Sequence, residues 1–145
     1  MKVQNMAGHL IRRLNQVSTH IFAKQMQEAG HDLTPVQFAA MDAIAAYPGI
    51  DQAGVAAKIA YDRATIGGVI DRLDLKGYVA RSVSTRDRRA REVRLTEKGR
   101  ALFEEVLPLV EHMQGEMLEA LTPDERAAFL ALARKALGKS APALP

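Results

Sequence analysis

Apolar residues recur at spacings of three and four near the start of the chain (Met6, Leu10, Leu14, Val17, Ile21). That is the period of one helical face, and it predicts a long helix over 6–29 that stops at Gly30. Thr34-Pro35-Val36-Gln37 then combines a capping hydroxyl, proline at the first helical position and glutamine three residues after the cap. The helix it opens is expected to run to about Ala46 and to end at Tyr47-Pro48-Gly49. A short helix over Gln52–Ile59, capped by Asp51, and a longer one over Arg63–Lys76, capped by Asp62 and ended by Gly77, come next. Only Ala60, Tyr61 and Asp62 lie between them, the spacing of a helix-turn-helix.

The period then changes. Tyr78–Val83 and Arg91–Leu95 alternate in part and carry valines, as half-buried strands do. The polar loop between them makes the pair a hairpin, which must pack on the preceding helices because an isolated hairpin is marginal. Thr96 caps a second long helix over Glu97–Glu119, with Pro108 a candidate kink. Thr122-Pro123-Asp124-Glu125 is a second capping box and opens a last helix to about Leu137. Ser140–Pro145 is expected to be disordered. The fold class is therefore mainly α with a small β-hairpin wing. A winged helix-turn-helix over 34–100 is flanked by helical regions at 1–30 and 101–139. Val69, Ile70 and Leu73 are expected in the core, with Ile66 a further candidate.

Charge sharpens this picture. The 145 residues carry a net +3, but residues 1–57 are net zero, residues 58–100 net +6 and residues 101–145 net −3. A local excess of that kind is the footprint of a phosphate-binding surface. Arg86, Arg88, Arg89 and Arg91 fall within six residues of the hairpin loop, beside one acid, Asp87. Asp87 is expected to hold Arg89 by a salt bridge that presets the loop tip. In a winged helix the second helix of the pair offers its N-terminal residues to base edges in the major groove. The wing reaches toward the narrow, electronegative minor groove, which favours arginine. The candidate recognition residues are Arg63, which suits a guanine edge or a phosphate, and Thr65, with a hydroxyl and a methyl. Gly67 and Gly68 each cost roughly 1 kcal/mol against alanine in a helix. They read either as close backbone approach to DNA or another helix, or as a local packing need.

Other chemistry is poorly represented. With no cysteine there is no disulfide, thiolate metal site or thiol redox sensor. The four histidines fall in no short metal-binding pattern. Neither metal nor cofactor is implied, and no phosphate loop, nucleophile elbow or paired catalytic carboxylates point to an enzyme. No apolar run approaches the roughly 18 residues of a membrane span. The N-terminus lacks a secretory apolar stretch, so a cytoplasmic location is expected.

Three motifs together resemble the MarR family. They are Thr65–Val79 (TIGGVIDRLDLKGYV), Asp87-Arg88-Arg89-Ala90, and Val93–Gly99 (VRLTEKG). They correspond, in order, to a recognition helix ending in DRL-x-x-KG, a D-x-R wing and LT-x-x-G. The resemblance extends over nearly the whole chain. It implies a homodimer joined by the terminal helices, here through Leu10, Leu14 and Ile21 with Leu121, Phe129, Leu130, Leu132 and Leu137. It also implies a pseudo-palindromic double-stranded DNA operator, repression, Arg89 in the minor groove, and release by a small anionic aromatic compound. The wider pattern is similar to a branch associated with aromatic-acid catabolism. Candidate ligand residues are His9, Arg13, Gln16 and His20, a polar stripe beside the apolar one, with Phe38 and Met41 of the second helix as apolar walls. A solvated helix face is the plainer reading of that stripe. A non-specific architectural DNA binder and a winged-helix protein–protein adaptor are the alternatives for the whole chain.

Overall fold

The computed structural model describes residues 1–138; the expected disordered tail lies outside the described residues. A short 3₁₀ turn over Lys2–Asn5 precedes α1 (Ala7–Glu28), α2 (Pro35–Ala46), α3 (Gln52–Lys58), α4 (Ile66–Leu75), β1 (Val79–Val83), β2 (Arg91–Leu95), α5 (Glu97–Met117) and α6 (Pro123–Leu137). The 3₁₀ turn carries no periodic signal and was not expected.

The caps form where the side chains call for them. Thr34 Oγ1 accepts from Gln37 N at 3.2 Å while Gln37 Oε1 accepts from Thr34 N, closing the capping box of α2. Thr122 and Glu125 do the same for α6. Asp51 Oδ1 accepts from Gly54 N at 2.7 Å, and Thr96 Oγ1 from Gly99 N at 3.0 Å. Each satisfies backbone donors that a helix start leaves without partners. α5 runs through Pro108 without a break.

α4 departs from expectation. It begins at Ile66 rather than Arg63, so the stretch between the two helices is longer than three residues. Asp62 does cap, but it caps a turn. Its carbonyl accepts from Thr65 N, Ile66 N and Thr65 Oγ1, and its carboxylate from Ala64 N. A Thr hydroxyl that bonds local backbone competes with helix, and Gly67 and Gly68 are weak helix formers. The regular ladder therefore starts late.

The two strands pair antiparallel in the register Val79↔Leu95, Arg81↔Val93, Val83↔Arg91. The segment before α3 extends this sheet: Val93 N donates to Ile50 O at 2.8 Å and Gly49 N to Val93 O at 3.2 Å. Gly49 has φ +84°, a left-handed backbone conformation that favours glycine, and its nearest neighbour is the exposed Arg94 guanidinium. The core joins α1 (Phe22, Met26), α2 (Ala40, Met41, Ile44), α3 (Val55), α4 (Ile66, Val69, Ile70, Leu73), the hairpin (Val79, Val93) and α5 (Leu102, Val106, Met113). All four α4 residues expected inside are buried. Leu10, Leu14, Leu130, Leu132 and Leu137 stay exposed in the single chain, as does Ile11.

Candidate nucleic-acid interface

The candidate interface lies where α3, the turn before α4 and the wing converge. A recess of about 380 Å³ is lined by Asp51, Gln52, Ala53, Arg63, Asp87, Arg89, Ala90 and Arg91. Arg63 and two wing arginines, far apart in sequence, thus border one cleft. Arg63, Arg86, Arg88, Arg89 and Arg91 are all exposed. Among the described residues their guanidinium groups form no ion pair or hydrogen bond with the protein, leaving their donors free for an anion.

The wing tip is preset, though not as expected. Asp87 and Arg89 form no salt bridge among the described residues; instead Asp87 Oδ1 accepts from Arg89 backbone N at 2.9 Å. A carboxylate two residues before an amide closes an Asx turn with its own backbone. Ser84 Oγ accepts from Arg86 N and Asp87 N at 3.1 and 3.3 Å, and Ser84 N donates to Ala90 O. The turn is shaped through main-chain bonds, and the Arg89 side chain is left uncommitted.

Thr65 is exposed on the turn preceding α4. Its hydroxyl proton is used on Asp62 O, so it keeps acceptor capacity and the methyl for a partner. Gly68 is exposed and a Cβ there would meet nothing within 4 Å; one at Gly67 would meet only Gln52 Nε2, at 3.7 Å. Packing inside the chain therefore does not require either glycine.

The remaining family-like motifs have structural reasons. Gly77 ends α4 with φ +79°. Thr96 Oγ1, besides capping α5, donates to Gly77 O at 2.6 Å. Gly99 lies against the Tyr78 carbonyl so closely that any Cβ would collide with it. Lys76 Nζ donates to Asp32 O and, at 3.2 Å, to Gln37 Oε1, tying the end of α4 to the α1–α2 turn.

The candidate ligand residues are not brought together within one chain. Arg13 donates to Gln16 Oε1 at 2.8 Å, and Arg12 pairs with His9 Nδ1 at 3.1 Å, all along the outer face of α1; His20 is exposed. Phe38 is half-buried, stacked on Phe103 with centroids 5.5 Å apart. Met41 is corrected to a core residue: it lies on the inward face of α2 and is wholly buried. The recesses that open on α1 have other walls. One of about 420 Å³ is lined by Thr19, Phe22, Met26, His31, Leu33 and Pro35 among others. A second, of about 180 Å³, lies between Leu14, Ser18, Met117 and Phe129.

Sequence reasoning missed Arg81. It reaches from β1 to Asp71, Asp74 and Gln52. These carboxylates hold its guanidinium in the charged form, raising its pKa, Asp71 most of all. The signal was period-two alternation: Arg81 shares a strand face with buried Val79, the face that packs on α4, and so comes within reach of that helix's carboxylates although it is itself exposed.

Known proteins share this fold. The model of the MarR family matches residues 31–90. NicR, an HTH-type transcriptional repressor of Pseudomonas putida, is 35% identical over 133 residues, 92% of this chain and 83% of NicR. BpsR of Bordetella bronchiseptica, whose DNA binding is regulated by 6-hydroxynicotinic acid, has a structure that superposes with a TM-score of 0.86. The two share 35% identity over 92% of this chain and 94% of BpsR. A mutant of Escherichia coli MarR complexed with operator DNA superposes with a TM-score of 0.82 at 29% identity, over 90% of this chain and 92% of that one. With the helix-turn-helix, the wing and all three motifs in place, this chain belongs to the MarR family of winged helix-turn-helix transcriptional regulators.

Proposed function

We propose that this protein is a ligand-responsive transcriptional repressor that binds a pseudo-palindromic operator as a homodimer and is released by a small aromatic acid or its thioester. The observation that carries the DNA reading is the shared cleft of Arg63, Arg89 and Arg91, with unpaired guanidinium groups beside the open first turn of α4. In this reading Arg63, Thr65, Gly67 and Gly68 meet the major groove. Arg89 enters the minor groove, and Arg86, Arg88 and Arg91 neutralise phosphates. The exposed leucines of α1 and α6 form the dimer seam. The α1 stripe of His9, Arg13, Gln16 and His20, which is not brought to Phe38 within one chain, faces the ligand's carboxylate in the homodimer of this reading. The regulation of BpsR's DNA binding by 6-hydroxynicotinic acid, an aromatic acid, supports the ligand class. Such a regulator works in the cytoplasm, where its operator is.

The test is selection of bound duplexes from a random pool at near-physiological salt. The expected result is an enriched palindrome with half-site centres about one helical turn apart. Binding without an enriched sequence would replace the proposal with a non-specific architectural protein, and absence of binding would favour a protein–protein adaptor. Aromatic acids are then screened for release of the enriched duplex.

A further inference from the structure

We propose that Arg81 is a positioning residue for DNA recognition: it locks the wing to the recognition helix at a fixed angle and does not itself touch DNA. The proposal rests on the DNA-binding reading above.

Arg81 lies in the middle of β1, two residues, or about 7 Å, beyond the buried anchor Val79 toward the wing tip. From there its guanidinium spans three elements. Nη1 donates to Asp71 Oδ1 at 2.6 Å and to Gln52 Oε1 at 3.3 Å. Nε and Nη2 both donate to Asp74 Oδ2, at 3.1 and 2.9 Å. Asp71 and Asp74 are three apart on α4 and so share one helical face. Gln52 opens α3 and borders the cleft that holds Arg63 and Arg89. One side chain thus joins the wing, the recognition helix and the helix before it.

Two features separate Arg81 from the other arginines of the basic segment. Four of the five N–H donors that a guanidinium carries are already engaged, whereas the guanidinium groups of Arg63, Arg86, Arg88, Arg89 and Arg91 have no protein partner among the described residues. The cluster of Asp71, Asp74 and Arg81 also carries a net negative charge, which repels phosphate. The base of the hairpin is held by Val79, Val93 and the bonds between Val93 and the segment before α3, whereas Arg81 ties β1 to α4 further toward the tip. Beyond Val79 and Val93 the β1 residues toward the tip are exposed.

The experiment measures binding of the enriched duplex and of a scrambled duplex of equal length, across a salt series, for wild type and two variants. Thermal unfolding checks that each is folded. Arg81→Lys keeps the charge and loses the fork. Asp71→Ala with Asp74→Ala removes the acceptors, makes the surface more positive and places a better helix former at both positions. Both are expected to bind the enriched duplex about tenfold more weakly, equivalent to about 1.4 kcal/mol. The scrambled duplex is expected to be held no more weakly, and the salt slope to be unchanged. The sign for the double variant is decisive, since charge alone predicts tighter binding. Tighter or unchanged binding by it, full activity of Arg81→Lys, or a slope lowered by about 0.9, as for one lost phosphate contact, would each overturn the proposal. A lowered melting temperature with unchanged affinity would also overturn it, in favour of a purely structural clamp. If the wild type binds no duplex, the DNA reading fails first, visibly and independently of either variant, and this proposal falls with it.

Discussion

Gly99→Ala is the substitution whose sign the structure reverses. At the third position of a helix such as α5, alanine in place of glycine ordinarily stabilises by up to about 1 kcal/mol. Here the added methyl would overlap the Tyr78 carbonyl oxygen and stand 2.8 Å from its carbon and 3.0 Å from its Cα. These are backbone atoms, and they are pinned. Tyr78 O accepts from Thr96 N at 3.1 Å, Tyr78 N donates to Leu73 O at 3.0 Å, and Thr96 Oγ1 holds Gly77 O. Relief requires the start of α5 to move away from the α4–β1 junction. Overpacking of this kind costs roughly 1–3 kcal/mol, and losing the Thr96–Tyr78 bond adds about 1 kcal/mol. Set against the propensity gain, the net destabilisation is about 2 kcal/mol. At roughly 2–4 °C per kcal/mol for a domain near this size, the melting temperature falls by about 4–8 °C. Circular dichroism at 222 nm through a thermal ramp measures it. A melting temperature equal to or above wild type would refute the claim that the Gly99–Tyr78 contact is rigid.

Gly68→Ala is the matched contrast. With open space around its Cβ it is expected to leave stability unchanged or raise it by up to about 1 kcal/mol, while weakening operator binding if the backbone there meets DNA; unchanged affinity would remove Gly68 from the interface. Arg89→Ala is expected to leave the melting temperature alone, because no side-chain bond of Arg89 is lost, and to weaken binding of the operator more than of a scrambled duplex. An unaltered affinity would withdraw the wing assignment. The Glu125 carboxylate is held below its ordinary pKa by the hydrogen bonds from Thr122, the backbone amide first. A depressed folded-state pKa contributes stability that is present above the unfolded value of about 4.3 and is lost as pH falls through the folded one. Amide exchange in the first turn of α6 should therefore separate wild type from Glu125→Gln at neutral pH and converge in acid. A gap that does not narrow as the pH is lowered would count against that account.

Much of the fold was legible because its decisive interactions are local. The capping boxes at Thr34–Gln37 and Thr122–Glu125, and the caps Asp51 and Thr96, act over three residues, so residue type and spacing alone specify them. The buried stripe of α4 and the bounds of β2 follow from period in the same way. The wing arginines stood out by their density. Where two local options compete, the sequence was ambiguous. Asp62 could start a helix or close a turn, and Thr65 and the glycines decided for the turn. Asp87 could pair with a side chain or with its own backbone, and the shorter ring won.

What only the tertiary structure decided are the contacts between residues distant along the chain. Arg63 shares a cleft with Arg89 because the α3–α4 turn and the wing meet in space. Arg81 finds Asp71, Asp74 and Gln52 because the strand register turns it toward α4. Gly99 is needed only because α5 starts against the Tyr78 carbonyl. Met41 became core, since the face a helix buries depends on which neighbours cover it. Composition and periodicity describe each segment's own preferences; they carry no term for the direction in which one segment approaches another, and that direction assembled the interface.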